Sequence, residues 1–207
     1  MGNDGVPVVP VKVAHINLMT DTILLNMPPE GLRSIFRSIL VADPSLTTAF
    51  HAQSRKWLEK TRPASMPQLF TSEASASSKK VVTPSSAFEG TQRRIRAMFG
   101  CGLGFESLEL LSEIVVQVSE LDFDGDSEEG ERLTDILATI DGDIVQAVTA
   151  AGKELLVGNT KRCMNSSETA IQEGLLRTLE EARNKAEAKG LEFMFDRGLS
   201  VAEKDNF

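Results

Sequence analysis

The chain has no tyrosine, one tryptophan (Trp57), two cysteines and two histidines among its 207 residues. Aromatics make up only 5% of it, so aliphatic side chains must fill whatever core it builds. Two thiols, Cys101 and Cys163, supply no disulfide framework and suit a chain kept in reducing surroundings. His15 and His51 stand outside any CxxC, HxxxH or HExxH setting, which removes the metal sites that spacing alone can reveal. Neither histidine has the surroundings of a recognisable nucleophilic triad. No apolar run approaches the roughly 20 residues that span a bilayer, and no basic segment followed by an apolar one opens the chain. Met1-Gly2 lacks the Ser or Thr that a myristoylation motif wants at position 6, which is Val6. These absences point to an intracellular protein, cytoplasmic or nuclear, with no membrane, cofactor or metal.

Charge of one sign is missing from half of the chain. Residues 1–100 carry 12 Lys/Arg against 7 Asp/Glu, a net of +5, whereas residues 101–207 carry 10 against 23, a net of −13. Between Glu120 and Asp143 ten carboxylates face only Arg132. Such a split bears on partners and on self-repulsion, not on fold. With a pI of about 4.9, the field is wrong for nucleic acid.

What is present reads as helix. Pro28-Pro29-Glu30 starts one, with proline in the first turn where its missing N–H costs nothing. Leu32, Ile35, Phe36, Ile39 and Leu40 then fall on one face, with Arg33 and Arg37 outside it. Asp43-Pro44 starts a second helix to about Lys60, whose inner face carries Leu46, Ala49, Phe50, Gln53 and Trp57. Some 30 residues bury too little surface to stand alone, so this 28–60 hairpin should dock on another body through Phe36, Phe50 and Trp57. Ahead of it, residues 1–27 are an extended arm rich in Val and Pro, in which the more apolar stretch from Ile16 to Leu25 suits either a short strand or a docked helix.

Residues 61–90 hold seven serines and three prolines, the composition of a flexible linker. Thr83-Pro84, beside Lys79-Lys80, is a candidate phosphorylation site there. A phosphate adds roughly −1.5 to −2 charge and would compete for the arginines that follow.

Beyond the linker, residues 91–196 read as a helical bundle and 197–207 as a tail. A basic helix carries Arg93, Arg94 and Arg96 and ends at the glycine-rich turn 100–104. Next, Leu108, Leu111, Ile114, Val115 and Val118 share a wide apolar face opposite Glu106, Glu109, Glu113, Gln117 and Glu120. Asp126 and Glu129 have capping-box spacing, and a further apolar stripe runs from Leu133 to Leu155, divided by Asp141-Gly142-Asp143. The last helix, 166–189, is more polar and is the candidate for self-association.

Two motifs need weighing. Asp122, Asp124 and Asp126 alternate like the first ligands of a calcium loop, but Ser127 replaces the required Gly and Leu133 the required Glu, so they read as a solvated acidic turn open to a partner. The 100–104 glycines lack the strand and spacing of a dinucleotide loop and read as an interhelical turn. The fold expected is all-α: a bundle with a docked hairpin and a disordered linker between. The function expected is that of a non-catalytic adaptor binding another protein through Phe36, Phe50, Trp57, Arg93, Arg94, Arg96 and the three aspartates. A small cofactor-free enzyme, or a ligand-binding protein with a pocket between hairpin and bundle, is the alternative.

Overall fold

A computed structural model describes residues 18–74, 80–123, 125 and 127–204. The extended arm up to residue 17, His15, Asp124 and Asp126 lie outside the described residues. The chain is mostly helical, and it divides into two compact units at Ala49/Phe50, inside a helix.

The N-terminal unit contains α1 (Leu18–Asn26), α2 (Pro29–Ala42) and the start of α3 (Leu46–Lys60). The described end of the arm is therefore helical. Pro28 is the N-cap of α2, as the sequence requires, and no residue of α2 is buried.

The second unit has two hairpins and five further helices: β1 (Phe70–Ala74), β2 (Lys80–Pro84), α4 (Phe88–Gly100), α5 (Gly104–Ser119), α6 (Glu128–Glu154), β3 (Leu156–Val157), β4 (Thr160–Lys161), α7 (Ser166–Lys189) and α8 (Asp196–Lys204). α5 is the centre. Its face of Leu108, Leu111, Ile114, Val115 and Val118 is buried between α4, α6 and α7. Each such side chain withdrawn from water contributes about 1.5–3 kcal/mol, which fixes α5 as the element the others pack around. α6 runs antiparallel to α5, since Glu154 at its end accepts from Gly104 N at the start of α5, whereas α7 runs parallel to it: Lys189 near the end of α7 donates to the carbonyls of Ser119 (3.0 Å) and Leu121 (3.1 Å) at the end of α5.

Several expectations need correction. Inside the 61–90 segment, where a flexible linker is expected, Phe70–Ala74 and Lys80–Pro84 form an antiparallel hairpin, with Phe70 opposite Pro84 and Thr71 opposite Thr83. Leu69, Phe70 and Val82 are buried, and the Phe70 and Phe88 rings lie 5.6 Å apart. Gln117, on the wet face of α5, holds the approach to this hairpin by accepting from Leu69 N (2.8 Å) and donating to Pro67 O (2.9 Å). Those bonds satisfy a backbone that composition alone leaves to solvent.

α6 is likewise one continuous helix of 27 residues rather than two. Gly142 faces open space, and both flanking aspartates are buried with partners. Its N-cap is Ser127, whose side chain accepts from Gly130 N, and not Asp126. The 197–207 tail contains α8, with Leu199 and Ala202 buried. On α7, Leu175, Leu179 and Ala182 are covered within the chain, where α7 packs on α5. Its ends follow the sequence: Asn165 and Glu168 make a reciprocal capping box, and Gly190 closes it at φ 66°.

Candidate functional site

Phe36, Phe50 and Trp57 are exposed, Trp57 at 62%. What α3 buries instead is Leu58, at 2% exposure. The rotation that turns Leu58 inward also brings Arg55 against the α4–α5 turn, where its Nε donates to Cys101 O.

The three arginines of α4 go three ways. Arg93 pairs locally with Glu89, both exposed. Arg94 donates to Leu58 O and to Thr61 Oγ1 (3.1 Å), tying down the end of α3, and burial lowers its pKa. Arg96 reaches Asp143 at 2.8 Å, and Gln92 donates to the same carboxylate at 3.0 Å. Internal pairing between the basic and acidic halves thus holds for Arg96, and for Arg62 with Glu109 at 2.8 Å, but among the described residues Arg93 and Arg94 form no ion pair with the acidic half. Asp122 is exposed. Thr83 is an exposed strand residue whose hydroxyl lies 3.1 Å from that of Thr71.

The glycine-rich turn is an interhelical connection already closed by its own chain. Gly102 adopts φ +80°, and the Arg55 guanidinium lies where a Cβ would stand. Glu154, at the end of α6, accepts from Gly104 N at the start of α5. A carboxylate therefore already occupies the positive end of that helix. Burial raises the Glu154 pKa, with the Gly104 N–H acting in the opposite direction.

Sequence reasoning missed the groove beside this turn. Phe105, Glu106, Glu109, Ser112, Glu113 and Val116 of α5 form one wall, and Ser167, Ala170, Ile171, Gly174 and Thr178 of α7 the other, with Glu154 and Asn165 near one end. Its volume is about 760 Å³. From 105 to 116 it follows α5 for about 16 Å at 1.5 Å per residue. The groove stays open because α7 presents Ser, Ala, Gly and Thr where bulkier side chains would fill it. Val116 is left 48% exposed.

The groove's chemistry is charge and shape. Glu109 is offset by Arg62 and Glu168 by Arg162 at its edges, and no ion pair is formed by Glu106 or Glu113 among the described residues. Two of its hydroxyls are committed to their own helices, Ser112 donating to Leu108 O and Thr178 to Gly174 O, both at 2.9 Å. Among the described residues no group of three or more His, Cys, Asp or Glu is arranged to hold a metal ion. No helix among them is long and apolar enough to cross a membrane.

Comparison of the chain with family models, curated proteins and solved structures finds no match.

Proposed function

We propose that this chain is a non-catalytic helical module that recognises another protein, and that the α5–α7 groove receives a basic segment with an apolar face. The groove itself supports this reading. Its walls offer Val116, Ile171 and Ala170 to apolar side chains, and the α5 wall offers Glu106 and Glu113 to Lys or Arg beside Glu109, which Arg62 already pairs. Apolar contact supplies the affinity in such sites, while the charged rim steers the partner and fixes its register. The Ser112 and Thr178 hydroxyls, tied into helix backbones and without an adjacent base, are not activated nucleophiles, which favours recognition over reaction.

The test is titration of the full chain with a labelled basic amphipathic helical peptide, followed by fluorescence anisotropy. Glu106→Lys with Glu113→Lys should weaken binding at least tenfold, and Val116→Asp should weaken it by a comparable factor. Binding that ignores both changes removes the groove from the reading. A second reading has one observation in its favour: the groove's volume lies within the roughly 300–1,000 Å³ of small-molecule sites. Calorimetric titration with a small organic polycation separates the two, because a ligand site would bind it with defined stoichiometry and a peptide groove would not.

A further inference from the structure

A groove suited to a basic, apolar helix and a basic, apolar helix occur in the same chain. On α2, Leu32, Ile35, Phe36, Ile39 and Leu40 fall within one arc, and Arg33 and Arg37 run along its border. Ile35 and Ile39 are each more than two-fifths exposed. The concentration is unusual: of thirteen exposed large hydrophobic side chains among the described residues, eleven lie between Met19 and Trp57. Scattered exposed apolar residues need no explanation, but a cluster of this kind marks an interaction surface.

Charge and dimensions select the occupant. α2 has 14 residues and spans about 21 Å, against about 16 Å for the groove. Arg33 and Arg37 are separated by one turn, about 6 Å, which is also the separation of Glu109 and Glu113 on the groove wall. The competing contacts, Arg33 with Glu30 at 3.1 Å and Glu109 with Arg62 at 2.8 Å, are exposed and contribute little. Small residues on α7 permit the close approach that a helix backbone needs.

We infer that the occupant of the α5–α7 groove is α2 of a second copy of this chain. This names the partner of the groove and rests on the reading given under Proposed function. The contact joins two different surfaces, so it closes only if two copies exchange α2 reciprocally, and otherwise grows from chain to chain.

Light scattering and sedimentation of the full chain across a wide concentration range test this. The mass should rise above 22.5 kDa with concentration and fall back as salt is added. Arg33→Glu with Arg37→Glu, or Glu109→Arg with Glu113→Arg, should each weaken association at least tenfold. An equimolar mixture of the two variants should recover it, because each then offers the charge that the other lacks. All four positions are exposed, and circular dichroism confirms that the variants fold. A parent chain that stays at 22.5 kDa, association that persists in both variants, or a mixture that fails to recover would overturn the proposal. If the chain stays monomeric yet its groove binds the unrelated basic peptide, the second copy is wrong and the groove reading stands. If neither occurs, both fall.

Discussion

Replacing Gly104 and Gly174 by alanine, one at a time, should move stability in opposite directions. Alanine exceeds glycine in helix propensity by about 1 kcal/mol in a helix interior, mainly because glycine loses more backbone freedom on folding. At Gly174 nothing lies within 4 Å of the position a Cβ would take, so that gain should appear whole. At Gly104 the new Cβ would stand 2.5 Å from Ala151 N, 2.8 Å from Ala151 Cα and 2.7 Å from a Glu154 carboxylate oxygen. Two of those atoms are backbone and cannot rotate aside, so α5 and α6 must separate. Overpacking of this kind costs about 1–3 kcal/mol, and separation also strains the Glu154–Gly104 hydrogen bond, a charged contact of about 1.5–3 kcal/mol. With little propensity gain at a helix's first residue, the net loss should be about 2–4 kcal/mol. In a chain of this size 1 kcal/mol moves the midpoint by about 2–4 °C. Gly174→Ala should therefore melt about 2–4 °C higher than the parent, and Gly104→Ala roughly 5–15 °C lower. Far-UV circular dichroism melts, checked by urea midpoints at constant slope, measure both. A Gly104→Ala protein melting at or above the parent would refute the close α5–α6 approach.

Three further outcomes follow from partners already described. Arg96→Ala strips buried Asp143 of its cation and should cost about 1–3 kcal/mol in urea unfolding, whereas Arg93→Ala, which loses only an exposed pair, should stay within about 0.5 kcal/mol. Burial raises the Asp141 pKa, so the folded protein holds that proton more tightly than the unfolded chain. Ionisation therefore opposes folding as pH rises through the unfolded and then the folded value. The stability of the parent relative to Asp141→Asn should fall across that window, and a difference growing in the parent's favour would contradict the sign. Cys163 is exposed and Cys101 buried with a raised pKa; a thiol reagent followed by mass spectrometry should modify Cys163 rapidly and Cys101 only on unfolding.

The helices were legible where one face of a 3.6-residue period is uniformly apolar. Leu108 to Val118 on α5 is the clearest case, and the Asn165–Glu168 box with Gly190 marked the ends of α7. The β1–β2 hairpin was not legible, because seven serines diluted the apolar residues that anchor it, and the bonds from Gln117 join residues some fifty positions apart. Asp141-Gly142-Asp143 looked like a break since propensity counts only the helix itself. Gly198 N and Arg96, which accommodate the two carboxylates, come from other elements. The groove was hidden for a related reason. Its glutamates belong to what reads as the wet face of α5, and only the packing of α7 shows that small residues stand opposite them.

The bond from Gly198 N to Asp141 at 2.7 Å spans 57 residues of chain. At a synthesis rate of about 5–20 residues per second, Asp141 leaves the ribosome roughly 3–11 s before its partner. Through that interval the stripe of α6 destined for α8, with Ile144 beside the future place of Gly198, has no cover from its own chain. The last contacts of this unit to become available during synthesis are therefore those of one of its smallest helices. A ribosome stalled before residue 196 would display an apolar surface next to a desolvation-prone carboxylate, the kind of surface on which a nascent-chain chaperone acts.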